Sequence, residues 1–259
     1  MKRNLLPSGK ESGALLRRIQ HGRLAVQLLI MGLLIAGLYA SVVRPALIVI
    51  FVLTFLAGNF FCGWICPFGT AQDLLGRLGA LFVKRKLKMP YSIQKYAQYF
   101  RYILAAALML LGVGAAAEIF PINAYRTFLG TISGNEVQAV ALAVVGIFLL
   151  SSLFVERAFC NYFCSEGIRY GLASLTRIFT IKRDAASCVN CKRCDRVCPG
   201  NIEVSAGLQV RNALCVNCFQ CIGACPTEGT LSYGLVSLKH MLPSKQSTAS
   251  IDTSQKNVV

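Results

Sequence analysis

The chain has 259 residues, 55% of them hydrophobic and only 15% charged, with 27 lysines and arginines against 11 acidic residues and a formal net charge of +16. A soluble domain carries about a quarter charged residues, so this composition excludes an ordinary soluble globule and points to lipid as the solvent for part of the chain. The basic residues flank apolar segments and do not line one soluble face, which excludes nucleic acid as the partner, and the 12 cysteines fall into tight groups on a long apolar chain, which excludes a secreted disulfide scaffold and reads as metal ligation.

Residues 1–23 form a basic N-terminus containing Lys2, Arg3, Lys10, Arg17, Arg18 and Arg23. A membrane domain is predicted over 24–183, with four spans at Leu24–Val43, Pro45–Phe61, Tyr102–Ala117 and Val137–Val155. Each approaches the roughly 20 apolar residues that a bilayer core requires. The first is longer than a signal-peptide core, and Leu38 is too large for the −3 position of a cleavage site at Ala40, so an uncleaved span is expected. Lys84, Arg85, Lys86, Lys88, Lys95 and Arg101 separate spans two and three, whereas the other two connections hold only Arg44 and Arg126. The positive-inside rule then places both termini, the central loop and residues 184–236 on the cytoplasmic side of a bacterial inner membrane.

One unit is used twice. Span two ends in Phe61-Cys62-Gly63-Trp64-Ile65-Cys66 and span four in Phe159-Cys160-Asn161-Tyr162-Phe163-Cys164. Each is followed by a short amphipathic segment and a basic patch, Lys84-Arg85 in the first and Lys182-Arg183 in the second. Two hairpins related by a pseudo-two-fold axis would set both cysteine pairs at one depth. Cys62, Cys66, Cys160 and Cys164 are therefore a candidate cofactor site. Three chemistries suit it: a third metal centre, a redox-active dithiol relay, or a quinone or flavin site walled by Trp64 and Tyr162. Haem inside the bundle is excluded, because the only histidines, His21 and His240, lie outside the spans.

Residues 184–236 carry the strongest signal. Cys188-x2-Cys191-x2-Cys194-x3-Cys198-Pro199 is followed by Cys215-x2-Cys218-x2-Cys221-x3-Cys225-Pro226, the bacterial two-cluster ferredoxin spacing in duplicate. Three cysteines wrap one cubane and the fourth crosses to the other. Cluster one takes Cys188, Cys191, Cys194 and Cys225, and cluster two takes Cys215, Cys218, Cys221 and Cys198. A zinc ribbon needs four sulfurs in total and no trailing prolines, so it does not match. Residues 237–259, rich in Ser, Thr, Lys and Gln from Ser244, read as a disordered tail. The expected fold is thus an α-helical membrane protein of four transmembrane helices in two repeated hairpins, with a C-terminal α+β two-cluster ferredoxin domain.

These motifs resemble the NapH and NosR-type membrane ferredoxins, whose first Cys-x3-Cys-Pro motif is similar to Phe61-Cys62-Gly63-Trp64-Ile65-Cys66-Pro67. The resemblance spans roughly residues 20 to 235 and takes in every cysteine. It implies two 4Fe-4S clusters and electron transfer between the quinone pool or a cytoplasmic donor and a separate periplasmic or membrane redox subunit. Two departures stand out: Cys164 is followed by Ser165, not proline, and the large flavin-binding domain of NosR-type proteins is absent. Flavin or haem is then expected only through a partner. No acid/base pair, nucleophile motif or nucleotide loop stands out, so a non-catalytic subunit of a respiratory oxidoreductase complex is expected. The alternatives are a cupric or other metal-ion reductase similar to the RdxA/CcoG branch, and a redox-sensing regulator.

Overall fold

A computed structural model describes residues 9–82, 87–88, 90–110, 124–132, 134 and 139–236. Helix α1 (Gly9–Ile35) turns one face inward through Arg23, Gln27, Ile30 and Leu34 and leaves Leu28, Leu29 and Ile35 exposed. That spacing of three and four residues is the stripe a helix buries against a core. The helix stops before Gly37, whose φ of 72° suits glycine. Helix α2 (Tyr39–Ala57) follows, then a π-helical turn (Phe61–Ile65) and α3 (Pro67–Phe82). Pro67 opens α3 where its missing N–H is not needed.

Helices α4 (Tyr91–Leu110), α5 (Ala124–Ile132) and α6 (Ala139–Ser151) precede α7 (Ala158–Tyr162) and α8 (Ser165–Ala173). Phe61, Phe68, Phe128, Val145, Phe159 and Tyr170 form the core of this helical part. Its rings interlock: Phe61 stacks on Tyr170 at 4.6 Å, and Phe159 meets Phe68 at 5.0 Å and Phe148 at 4.9 Å between centroids.

The ferredoxin unit is bracketed by one antiparallel ribbon of β1 (Phe179–Arg183) and β2 (Leu231–Leu235), in register from Phe179 opposite Leu235 to Arg183 opposite Leu231. Between the strands lie the short helices α9 (Arg193–Arg196) and α10 (Gln220–Ala224), and α1 packs along α10. A second small core of Ile181, Ile202, Val204, Val210, Leu214 and Leu231 fills this unit.

The expectation of four transmembrane helices is overturned. Among the described residues no helix is long and apolar enough to cross a membrane. The apolar part of α1 ends at Ile35, short of the expected Val43, because the chain turns at Gly37. Helix α2 has 19 residues but carries Arg44 and Pro45 near its start. Helix α6 has 13 residues, about 20 Å of helix against a hydrocarbon core of about 30 Å; it stops at Ser151, and residues 152–155 leave the helix. In α4 the first half is polar, with Gln94, Lys95, Gln98 and Arg101, and the rest of the expected third span, residues 111–117, lies outside the described residues. So do the 237–259 tail, His240 and the Lys84–Lys86 patch.

Candidate electron-transfer centres

The two ferredoxin motifs enclose two separate cavities. Cys188, Cys191, Cys194 and Cys225 line one, and Cys198, Cys215, Cys218 and Cys221 line the other. The last cysteine of each run thus sits in the other run's cavity. Repeated backbone geometry shapes them: Asn190 and Lys192 in the first loop have φ of 52° and 54°, and Asn217 and Phe219 in the second 47° and 57°. Left-handed residues of this kind curl the chain back on itself. Backbone N–H groups consequently face sulfur, Asn190 to Cys188, Gln220 to Cys218, and Gly200 and Ile202 to Cys198.

This donor set fits a 4Fe-4S cluster in each cavity: four thiols, a mainly apolar shell and N–H groups aimed at the sulfurs. Among the described residues no three Cys, His, Asp or Glu side chains converge tightly enough for a single metal ion. The cavities differ in setting. Cys215, Cys218 and Cys221 are buried, whereas Cys191 is exposed. The Asn190 N–H and the Arg183 guanidinium hold the Cys188 thiol below its ordinary range, and burial pushes Cys198 up to about 12.

Alanine substitution tests the crossed ligation. Cys225→Ala is expected to leave the same residual EPR spectrum as Cys188→Ala, and Cys198→Ala the same as Cys215→Ala, each with about half of the iron lost. If Cys225→Ala matched Cys215→Ala instead, ligation would be local to each run.

Cys62, Cys66, Cys160 and Cys164 also come together in the helical core. Each pair straddles a break and does not lie on one continuous helix. Cys62 sits in the π-helical turn and Cys160 in α7, while Cys66 and Cys164 are extended, with ψ of 116° and 118°. The two halves match closely: the Gly69 N–H donates to Cys66 Sγ at 3.5 Å, and the Gly167 N–H to Cys164 Sγ at 3.4 Å. Burial pushes all four thiols up, Cys164 to about 12, and each also feels the charge of others in the group or of Arg157. Trp64 and Tyr162, expected as aromatic walls here, point elsewhere. Trp64 Nε1 donates to the Asn217 carbonyl at 3.0 Å, and the Tyr162 hydroxyl donates to Gln94 Oε1.

Those contacts join the four-cysteine group to the buried ferredoxin cavity. Gly63, next to Cys62, lies under the Val216 carbonyl, where a Cβ would come within 2.1 Å of the oxygen. Asn217 Nδ2 reaches back to the Ala57 carbonyl at 2.7 Å. From the second repeat, Asn161 Nδ2 donates to the Pro199 carbonyl at 3.0 Å. Both cysteine repeats therefore grip the loops that hold Cys198, Cys215 and Cys218.

A buried charge cluster completes this junction. Asp73 of α3 accepts from Arg157 Nε at 2.8 Å and Nη2 at 2.6 Å, from Gln27 Nε2 at 2.9 Å, and from Arg23 Nη2. Arg157 Nη1 continues to the Cys62 carbonyl at 3.1 Å and Arg23 Nε to the Gly63 carbonyl at 2.9 Å. Burial alone would raise the Asp73 pKa, but the two guanidiniums outweigh it and hold the carboxyl at about 2. None of these four residues, Arg23, Gln27, Asp73 and Arg157, belongs to a cysteine motif. The available signal was a lone aspartate in a segment otherwise free of acids, residues 12–117, and a lone glutamine in an apolar run.

Comparison with known proteins adds the following. A family described as a 4Fe-4S binding domain matches residues 46–90 and again 137–181, and one described as a 4Fe-4S dicluster domain matches 174–236. The chain is 34% identical over 174 residues to the uncharacterized protein MJ0750 of Methanocaldococcus jannaschii, a match covering 65% of this chain and 70% of that protein. It is 30% identical to YccM of Escherichia coli, covering 69% of this chain and 52% of the relative. It is also 29% identical to the ferredoxin-type protein NapH of Haemophilus influenzae, covering 61% and 53%. The chain thus spans about half the length of two of these relatives. No solved structure matches.

Proposed function

The chain belongs to the NapH/NosR-type ferredoxin family, and from that premise we propose that it is an electron-transfer subunit working between the quinone pool or a cytoplasmic donor and a separate redox subunit. The observation that carries this reading is the line of three thiol groups: the exposed cavity, the buried cavity docked beneath it, and the four-cysteine group gripping the buried cavity through Gly63, Trp64 and Asn161. When bound, a 4Fe-4S cluster supplies one-electron chemistry at a potential set by its surroundings. The chain's own residues hold the thiols in place, keep water from the buried cavity and fix the spacing between centres. Arg23 and Arg157 offset the negative charge that thiolates bring to the junction. The four-cysteine group is assigned the role of relay or terminal binding site, with quinone as the ligand of choice and any flavin or haem brought by the partner. Exposed apolar side chains on α1 and α2, among them Leu28, Leu29, Ile48, Val49 and Val52, support a position against the lipid of the bacterial inner membrane.

EPR of the anaerobically reconstituted full chain in liposomes tests the donor, comparing reduction by a menaquinol analogue with reduction by dithionite. A reduced-cluster signal with quinol alone identifies the quinone pool as donor. A signal with dithionite only excludes quinol and leaves a low-potential cytoplasmic donor. A relay that persists after both clusters are disrupted would overturn the electron-transfer reading itself.

A further inference from the structure

The two ferredoxin cavities face different surroundings, and the difference picks out one partner. The Cys198 cavity is closed in by α1, the π-helical turn and the 157–161 segment. The Cys188 cavity opens to solvent, with Cys191 exposed and Val189 62% exposed beside it. Electron exchange with another protein requires close approach, so the exposed cavity is the one within reach.

Its rim is cationic. Lys192 and Arg183 line the cavity, and Lys192, Arg193 and Arg196 are exposed. Arg193 and Arg196 stand three apart on α9 and share a face. Of the acids nearby, Asp195 is half-buried and Asp184 is exposed. Asp195 accepts from the Ser205 N–H at 2.8 Å and from its hydroxyl, and Asp184 accepts from the Ala186 N–H at 3.1 Å and the Ser187 hydroxyl at 2.7 Å. Glu203 and Glu228 are exposed and, like Arg193 and Arg196, stand outside the cavity lining. Arg196 Nη2 also donates to the Cys191 carbonyl at 2.8 Å, so the cationic rim is fixed to the thiol loop itself. A small apolar tip ringed by fixed cations suits brief, charge-steered encounters, where attraction speeds association and little buried area slows release.

We propose that the Val189–Arg196 face is the docking port for a soluble one-electron carrier with an acidic contact surface, which exchanges a single electron with the centre in the Cys188 cavity. This rests on the electron-transfer reading above and names the partner class at one end of that line.

Stopped-flow spectroscopy of the reconstituted full chain tests it, with an acidic plant-type 2Fe-2S ferredoxin as probe and a small neutral reductant as control. The bimolecular rate with the ferredoxin is expected to fall about tenfold or more as salt rises from about 50 to about 300 mM. Arg193→Glu is expected to lower it about fivefold at low salt, leaving the dithionite-reduced EPR signal unchanged. This substitution leaves the Arg196 bond to Cys191 intact, and Arg193→Gln should give an intermediate rate. A rate indifferent to salt and to both variants, or a cationic carrier reacting faster than the acidic one, would overturn the port. Clusters that neither protein nor the neutral reductant can reduce would instead overturn the electron-transfer reading beneath it.

Discussion

Asp73→Asn is expected to destabilise the protein by about 3–5 kcal/mol, the usual consequence of removing one partner from a buried charge cluster. The aspartate is the carboxylate partner of two guanidiniums that are 1% and 2% exposed. Asparagine keeps the size and one acceptor oxygen but leaves two buried cations without their carboxylate. Arg157 would lose one of the two bonds to residue 73 that hold it beneath the Cys62 carbonyl, and it already sits in a left-handed conformation with φ of 53°. Denaturant unfolding of the reconstituted protein measures the loss. The pH dependence has a definite sign. Because the folded pKa is held at about 2 against an ordinary value of 3.8, the contribution of Asp73 is fully present above about pH 4 and is lost as pH falls toward 2. The asparagine variant should lack that acid-sensitive component. A variant with wild-type midpoint would mean that the cluster contributes little.

Gly63→Ala is the second large effect expected. An added Cβ would lie 2.1 Å from the Val216 carbonyl oxygen, a backbone atom in the loop between Cys215 and Cys218. Backbone cannot swing aside as a flexible side chain can, so the loop or the π-helical turn must shift. Overpacking of this kind costs about 1–3 kcal/mol, and the shift falls on the junction between the four-cysteine group and the buried cavity. The expected result is a lower melting temperature together with an altered EPR signal from the Cys198–Cys215 site and an unaltered one from the Cys188 site. Gly146→Ala on α6, where a Cβ meets nothing within 4 Å, is the matched control. Equal changes at both sites would place the damage in global unfolding and not at the junction.

The ferredoxin unit was readable because its chemistry is local. A thiol every third residue announces a wrapped cluster whatever the rest of the chain does, and a Val-Asn pair inside each run, Val189-Asn190 and Val216-Asn217, coincides with the two left-handed turns at Asn190 and Asn217. The paired Phe-Cys-x3-Cys segments were visible for the same reason. The junction was not readable, because its parts are distant in sequence: Asp73 is 50 residues from Arg23 and 84 from Arg157. Hydrophobic periodicity reports which face a residue takes, not which partner it meets there. Nor was the direction of Trp64 and Tyr162 readable, since proximity in sequence to Cys62 and Cys160 does not fix where an aromatic side chain points. The four spans failed for another reason. Summed hydropathy counts apolar residues across a window but passes over the points where the backbone leaves the helix, at Gly37 and at residues 152–155.

The exchange of Cys198 and Cys225 between the two cavities has a consequence for how the protein matures. The last cysteine of each half of the ferredoxin unit lines its neighbour's cavity and not its own. Ordering one cavity therefore draws the other half's last turn into place and lowers the entropy still to be lost there. Filling of the two cavities is then coupled, and reconstitution with limiting iron is expected to give fewer half-filled chains than two independent sites would.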